Sequence, residues 1–158
     1  MIRRSKPIKR SPVRRKNRPK KRPKSELVLF KKKLWEKFSA WIKKRDGNIC
    51  FVCGKTDLSG HNWHAAHVFS AGSYSALRWL VSNCFSGCYS CNVGKHGHYI
   101  EYHRLYKERF GEAAYNDLYE HRYDQKQWRL PDLQEIEKYL DSTDPATVRL
   151  WLNAANQV

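Results

Sequence analysis

Four cysteines fall into two C-x-x-C pairs, Cys50/Cys53 and Cys88/Cys91, with 34 residues between the pairs. Each pair suits a tight knuckle, and four thiolates are the tetrahedral donor set of a structural zinc ion. Joining two distant knuckles through one ion adds folding free energy on the order of 10 kcal/mol in small zinc peptides. Two unconnected redox pairs are the alternative reading, but nothing in the chain has a thioredoxin-like context. The fifth cysteine, Cys84, reads as a small buried apolar residue. Around the pairs lie groups that can move a proton or hold a hard cation: His64 and His67 in "NWHAAHVFSAG", Asn83 in "VSNC", and Asn92, Lys95, His96 and His98 in "CNVGKHGH". An imidazole titrating near its ordinary value of about 6.5 is a general base at neutral pH, and an amide oxygen suits a hard divalent ion.

These groups need elements to place them. "ELVLFKKKLWEKFSAWIKKRDG" carries Leu27, Phe30, Leu34, Phe38, Trp41 and Ile42 at three- and four-residue steps. That period predicts a helix with one apolar stripe, capped by Ser25 and stopped at Asp46-Gly47. Its lysines form a solvated face or touch phosphate. Residues 48–95 form the compact middle, where "HVFSAGSYSALRWL" predicts strand, loop and strand. "YIEYHRLYKERFG", ending at Gly111, and "EAAYNDLYEHR" predict two helices. Pro131 opens another helix, and Pro145 sits in the first turn of a fourth behind Thr143 or Asp144. The many aromatics are read as core first and as base-stacking groups second.

Charge divides the chain. Residues 1–25 hold 13 Lys and Arg, four prolines and no acid, while the remainder has 18 bases and 15 acids. Such a tail cannot bury a core and is expected to be disordered. Arg3, Arg4, Arg14, Arg15, Lys16, Lys20, Lys21 and Arg22, with Lys95 from the body, are the candidate phosphate contacts. Their binding to DNA would be salt-sensitive and blind to sequence; a solubilising tail or targeting tag is the other reading. No run of about 18 apolar residues is present to span a membrane. With no secretory leader expected either, the paired cysteines point to metal in a reducing compartment.

His67, Asn83 and Asn92, in that order and threaded through four cysteines, resemble the HNH, or ββα-metal, nucleases. The segments "CFVCG", "HAAHVFSAG", "ALRW", "NCFSGCYSCNVGKHGH" and "IEYHRLYKERFG" are more narrowly similar to the phage NinG/Rap recombination endonucleases, over about residues 41–140. Four positions depart from that family's pattern: Ala66 replaces a glycine, Val68 an aromatic residue, His64 a commonly acidic residue and His98 an asparagine. The resemblance implies an α+β fold. Its parts would be a disordered polybasic tail (1–25), an amphipathic helix (26–47), a zinc-bound ββα-metal, treble-clef-like core (48–111) and a helical region (112–158).

The resemblance also implies roles. His67 is expected as the general base on water, with Asn83 holding the adjoining loop and orienting it, or serving only as a turn residue. Asn92 and His64 are expected to hold a catalytic Mg²⁺ or Mn²⁺ ion, beside the structural zinc on the four cysteines. Residues 64 and 67 fall on opposite faces of a regular strand, so one metal could take both only across a bulge or turn. His96, four after Asn92, competes as a ligand if the helix continues that far. The expected activity is metal-dependent cleavage of branched DNA such as Holliday junctions, D-loops or flaps. A homodimer, pairing through the helices after residue 111, would suit symmetric resolution. The expected location is the cytoplasm of a bacterial host. A general HNH nicking or homing enzyme and a non-catalytic zinc-knuckle nucleic-acid-binding protein remain the rivals.

Overall fold

The computed structural model describes residues 23, 25–95 and 97–148. The polybasic segment, apart from residues 23 and 25, and position 96 therefore lie outside the described residues. Helix α1 spans Glu26–Asp46. Ser25 precedes it in an extended conformation, and Gly47 ends it at φ 72°, donating its N–H to the Lys43 carbonyl at 2.9 Å. A positive φ is cheap only for glycine, so the helix stops where the sequence predicts. Its stripe of Leu34, Phe38, Trp41 and Ile42 is buried.

Strands β1 (Trp63–His67) and β2 (Cys84–Cys88) pair antiparallel, from Trp63 opposite Cys88 to His67 opposite Cys84. Neither strand lies where "HVFSAGSYSALRWL" puts it: β1 ends at His67, the first residue of that segment, and "SALRWL" is not a strand. Ala76–Trp79 is a 3₁₀ turn, held by i to i+3 bonds such as Leu77 N–H to the Tyr74 carbonyl at 3.2 Å. Leu77 and Trp79 are both buried but enter different clusters. A turn feeding two cores imitates the period-two pattern of a strand.

The sheet is covered on both faces. On one, Ala65 and Cys84 pack with α1, with Trp79, and with Leu133 and Leu140 of α3 (Leu130–Ser142). On the other, Ala66 and Phe85 pack with Tyr102, Tyr106, Tyr115 and Leu118 of α2 (Tyr99–His121). Helix α2 is two helical runs merged across Gly111, whose φ of 81° and ψ of 164° interrupt the turn. This is the break that the sequence marks. Gly87 admits α2 to the sheet: a Cβ there would fall 2.6 Å from the Tyr102 hydroxyl.

One polar group crosses these layers. Arg45, fully buried near the end of α1, donates to the Val81 carbonyl at 2.6 Å, to the Cys84 carbonyl at 2.7 Å and to the Asp46 carboxylate at 2.6 and 3.0 Å. Asp46 in turn accepts the Ser86 N–H at 2.7 Å. The pair clamps the end of α1 onto the start of β2.

Candidate metal centre

Cys50 and Cys53 come from the knuckle after α1, Cys88 ends β2, and Cys91 lies in the single π turn Ser90–Gly94. The knuckle is fixed to the outer edge of β2 by the Phe51 N–H, which donates to the Ser86 carbonyl at 2.8 Å. All four sulfurs lie within 4.8 Å of one another, and Cys53 Sγ is 3.8 Å from Cys88 Sγ. A tetrahedral ion with metal–sulfur bonds of about 2.3 Å separates its sulfurs by about 3.8 Å. The cluster is thus positioned to hold one metal ion. Backbone N–H groups of Cys88 and Cys91 point at Cys50 Sγ and Cys88 Sγ, at 3.3 and 3.4 Å; at Cys50 burial raises the thiol pKa, and backbone bonds of this kind outweigh it and lower the value.

Asn92 follows the last of these cysteines. Its amide nitrogen lies 3.0 Å from His64 Nδ1. His64 is opposite Gly87 in the ladder, and its Nε2 lies 2.8 Å from the His61 carbonyl. A carbonyl only accepts, so Nε2 carries the hydrogen and Nδ1 keeps its lone pair toward Asn92. Turning the amide over presents Oδ1 beside that lone pair. Side-chain N and O of an asparagine are nearly equivalent in shape, so the turn costs little space. The two side chains predicted to share a divalent ion are therefore neighbours, and a backbone carbonyl orients the imidazole as metal-ligating histidines require.

His67 occupies the other face. The ladder runs through β1 without a bulge, so alternation sends Trp63, Ala65 and His67 toward α1 and His64 and Ala66 toward α2. The His67 ring stacks on Trp35 of α1, with centroids 5.5 Å apart and planes 18° apart. Its Nε2 is 2.9 Å from the Arg78 carbonyl, which leaves Nδ1 unprotonated in the neutral ring. Burial lowers its pKa; the bond to the Arg78 carbonyl opposes that, and the Arg78 charge adds to it. The ring is accordingly neutral at pH 7.

Asn83 is fully buried. Its Oδ1 accepts the Phe69 N–H at 2.8 Å, and its Nδ2 donates to the Phe69 and Leu77 carbonyls, both at 3.0 Å. It touches the loop between the strands rather than His67. That loop is what delivers the Arg78 carbonyl to His67.

Lys95 is exposed just after the π turn. The turn closes with the Lys95 N–H on the Ser90 carbonyl at 2.8 Å, and α2 begins afresh at Tyr99. The π turn ends at Gly94, and His96 itself, with its expected place as a ligand, lies outside the described residues. So do Arg3, Arg4, Arg14, Arg15, Lys16, Lys20, Lys21 and Arg22. His103 is packing: buried against Phe69, it bonds the Tyr115 hydroxyl at 3.0 Å. Three contributors escaped the sequence reading. The His61 and Arg78 carbonyls carry no side-chain signal, and Trp35 lies far upstream of the motif, one residue off the buried stripe of α1.

No helix among the described residues is long and apolar enough to cross a membrane. A family model described as "Bacteriophage Lambda NinG protein" matches residues 3–145. Two curated relatives, each named "Protein ninG", come from Escherichia phage 933W and Enterobacteria phage VT2-Sa. Each is 26% identical over 117 residues, covering 70% of this chain and 57% of its own length. The chain thus spans somewhat over half the length of these relatives. No solved structure matches.

Proposed function

The chain belongs to the NinG family, and from that premise we propose that it is a metal-dependent endonuclease for branched DNA, with zinc on the four cysteines. The meeting of His64 Nδ1 and Asn92 at 3.0 Å, directly beyond the cysteine cluster, carries the reading. An imidazole nitrogen and an amide oxygen form the protein side of a site for Mg²⁺ or Mn²⁺. When bound, that ion supplies charge stabilisation at the scissile phosphate and at the departing O3′.

The protein's own residues do the rest. His67 takes a proton from water at Nδ1, while the Arg78 carbonyl fixes the tautomer and Trp35 the plane of the ring. His64 and His67 serve different roles from different faces and need no shared ion. Among the described residues β1 has a ladder partner on one side only, so a phosphodiester lying along its outer edge would be open to side chains from both faces. Lys95 and the polybasic segment hold the backbone without reading bases. Bacterial cytoplasm is the fitting location, and two protomers would be needed for symmetric cutting of a four-way junction.

The test is cleavage of a panel of labelled junctions, flaps, D-loops and linear duplexes with Mg²⁺ or Mn²⁺. Wild type is expected to cut branched substrates. His67→Ala should bind them without cutting, and Asn92→Ala should need far more metal. A wild-type chain that cuts nothing with either ion is a zinc-knuckle binding protein instead.

A further inference from the structure

Past β1, the loop is built over an aromatic hub. Phe69, two residues beyond His67 and 1% exposed, has its N–H and carbonyl both held by Asn83. Its ring meets Tyr74 edge-on at 5.8 Å and Tyr119 at 6.4 Å. Tyr74 meets Tyr123 at 5.7 Å, and Tyr119 stacks on Tyr115 at 5.9 Å. The Arg122 guanidinium lies 3.3 Å from the Tyr119 ring centroid and 4.2 Å from that of Tyr123. It donates to the Tyr119 carbonyl, and among the described residues no carboxylate pairs with it, although Glu120 and Asp124 flank it in sequence.

Beneath this cluster the rings are core, yet its outer members are not. Tyr119 is 44% and Tyr123 67% exposed. Tyr119 packs inward on Phe69 and Tyr115, and Tyr123 on Tyr74, yet both rings stay partly in water, with Arg122 over each and no carboxylate beside it among the described residues. A base stacked on such a ring is held regardless of its identity, and a guanidinium beside it meets the phosphate. Inside an intact duplex the base faces are already stacked on one another, so this surface has nothing to hold there.

We propose that Tyr119, Tyr123 and Arg122 form a stacking platform for unpaired nucleotides, the single-stranded arm or flap of a branched substrate. Asn83 and Phe69 tie the platform to the segment that carries the proposed base: Phe69 lies at most about 7 Å of backbone beyond His67, and its ring is 6.4 Å from that of Tyr119. The platform thus selects DNA with unpaired bases near the cut. Its purpose rests on the nuclease reading; its binding test does not.

The test uses the full chain, without added Mg²⁺ or Mn²⁺, at raised salt where non-specific phosphate binding is weak. Fluorescence anisotropy compares a labelled single strand of about 15 nucleotides, within the span of one such groove, with a duplex of equal length. Tyr119→Ala and Tyr123→Ala, both at exposed positions, should each weaken single-strand binding about tenfold and leave duplex binding unchanged. Tyr123→Phe should keep wild-type affinity, because the ring stacks and the hydroxyl does not. Equal loss on both DNAs, or no loss on either, overturns the platform. So does unchanged DNA binding with altered sedimentation, which would make the surface a protein interface. Failure of wild type to cut any substrate would sink the nuclease reading and leave the binding result standing.

Discussion

His67 and His64 are each given one usable nitrogen by a backbone carbonyl, Arg78 for the first and His61 for the second. Main-chain acceptors are common to every residue, so sequence shows the imidazoles and not their tautomers. His64, where the resemblance leads one to expect an acid, still places a ring nitrogen 3.0 Å from the Asn92 amide. With His67 as the proposed base, its environment sets a kinetic expectation. Burial holds its pKa below the ordinary 6.5, with Arg78's charge acting in the same direction and the bond to the Arg78 carbonyl against it. A base is active above its folded-state pKa and loses activity as pH falls through it. The acid limb of a kcat/KM profile should therefore have a single apparent pKa below about 6.5. A midpoint at 7 or above would assign the limb to another group.

At the scale of elements, α1, the kink at Gly111 and the opening of α3 at Pro131 were all legible, because periodicity and caps are local signals. β2 was not. "CFSGC" is buried throughout and shows no alternation, since both faces of the sheet are covered. Nor was the Arg45–Asp46 clamp, which reads as an ordinary basic helix end. Breaking it by Arg45→Met leaves the Asp46 charge without its cation and the Val81 and Cys84 carbonyls without this donor, which should cost about 3–5 kcal/mol. Arg45→Met/Asp46→Asn should recover part of that loss, because an amide oxygen can still accept the Ser86 N–H. Denaturant unfolding measures both variants. A single variant within about 1 kcal/mol of wild type would show that the clamp contributes little.

For the whole molecule, the four-cysteine spacing announced the metal cluster, while the distribution of the core around it came only from the fold. Leu34, Phe38, Leu133 and Leu140 form a cluster with no candidate ligand among them. Cys50, Cys88 and Cys91 pack with Leu58 in a separate small one. Stripping the ion should therefore act unevenly. A strong chelator at neutral pH should release the knuckles, Asn92, the Trp63 end of β1 and the Cys88 end of β2, yet keep much of the helical signal of α1 and α3. Hydrogen exchange read by segment, beside one metal equivalent lost per chain, checks this. Uniform deprotection would mean that the ion holds the entire fold.

The interval from His64 to His67 is three, an odd number, in a strand whose pairing is unbroken. What keeps the proposed ligand and the proposed base on separate sides is thus a matter of parity more than of distance. Conservative replacements of Ala65 or Ala66 preserve it. A single-residue insertion between the histidines inverts one of them relative to the other, however gently the backbone absorbs it, whereas the turns of 68–83 can lengthen without any such reversal. Frame, not composition, is the quantity that this short ribbon has to protect.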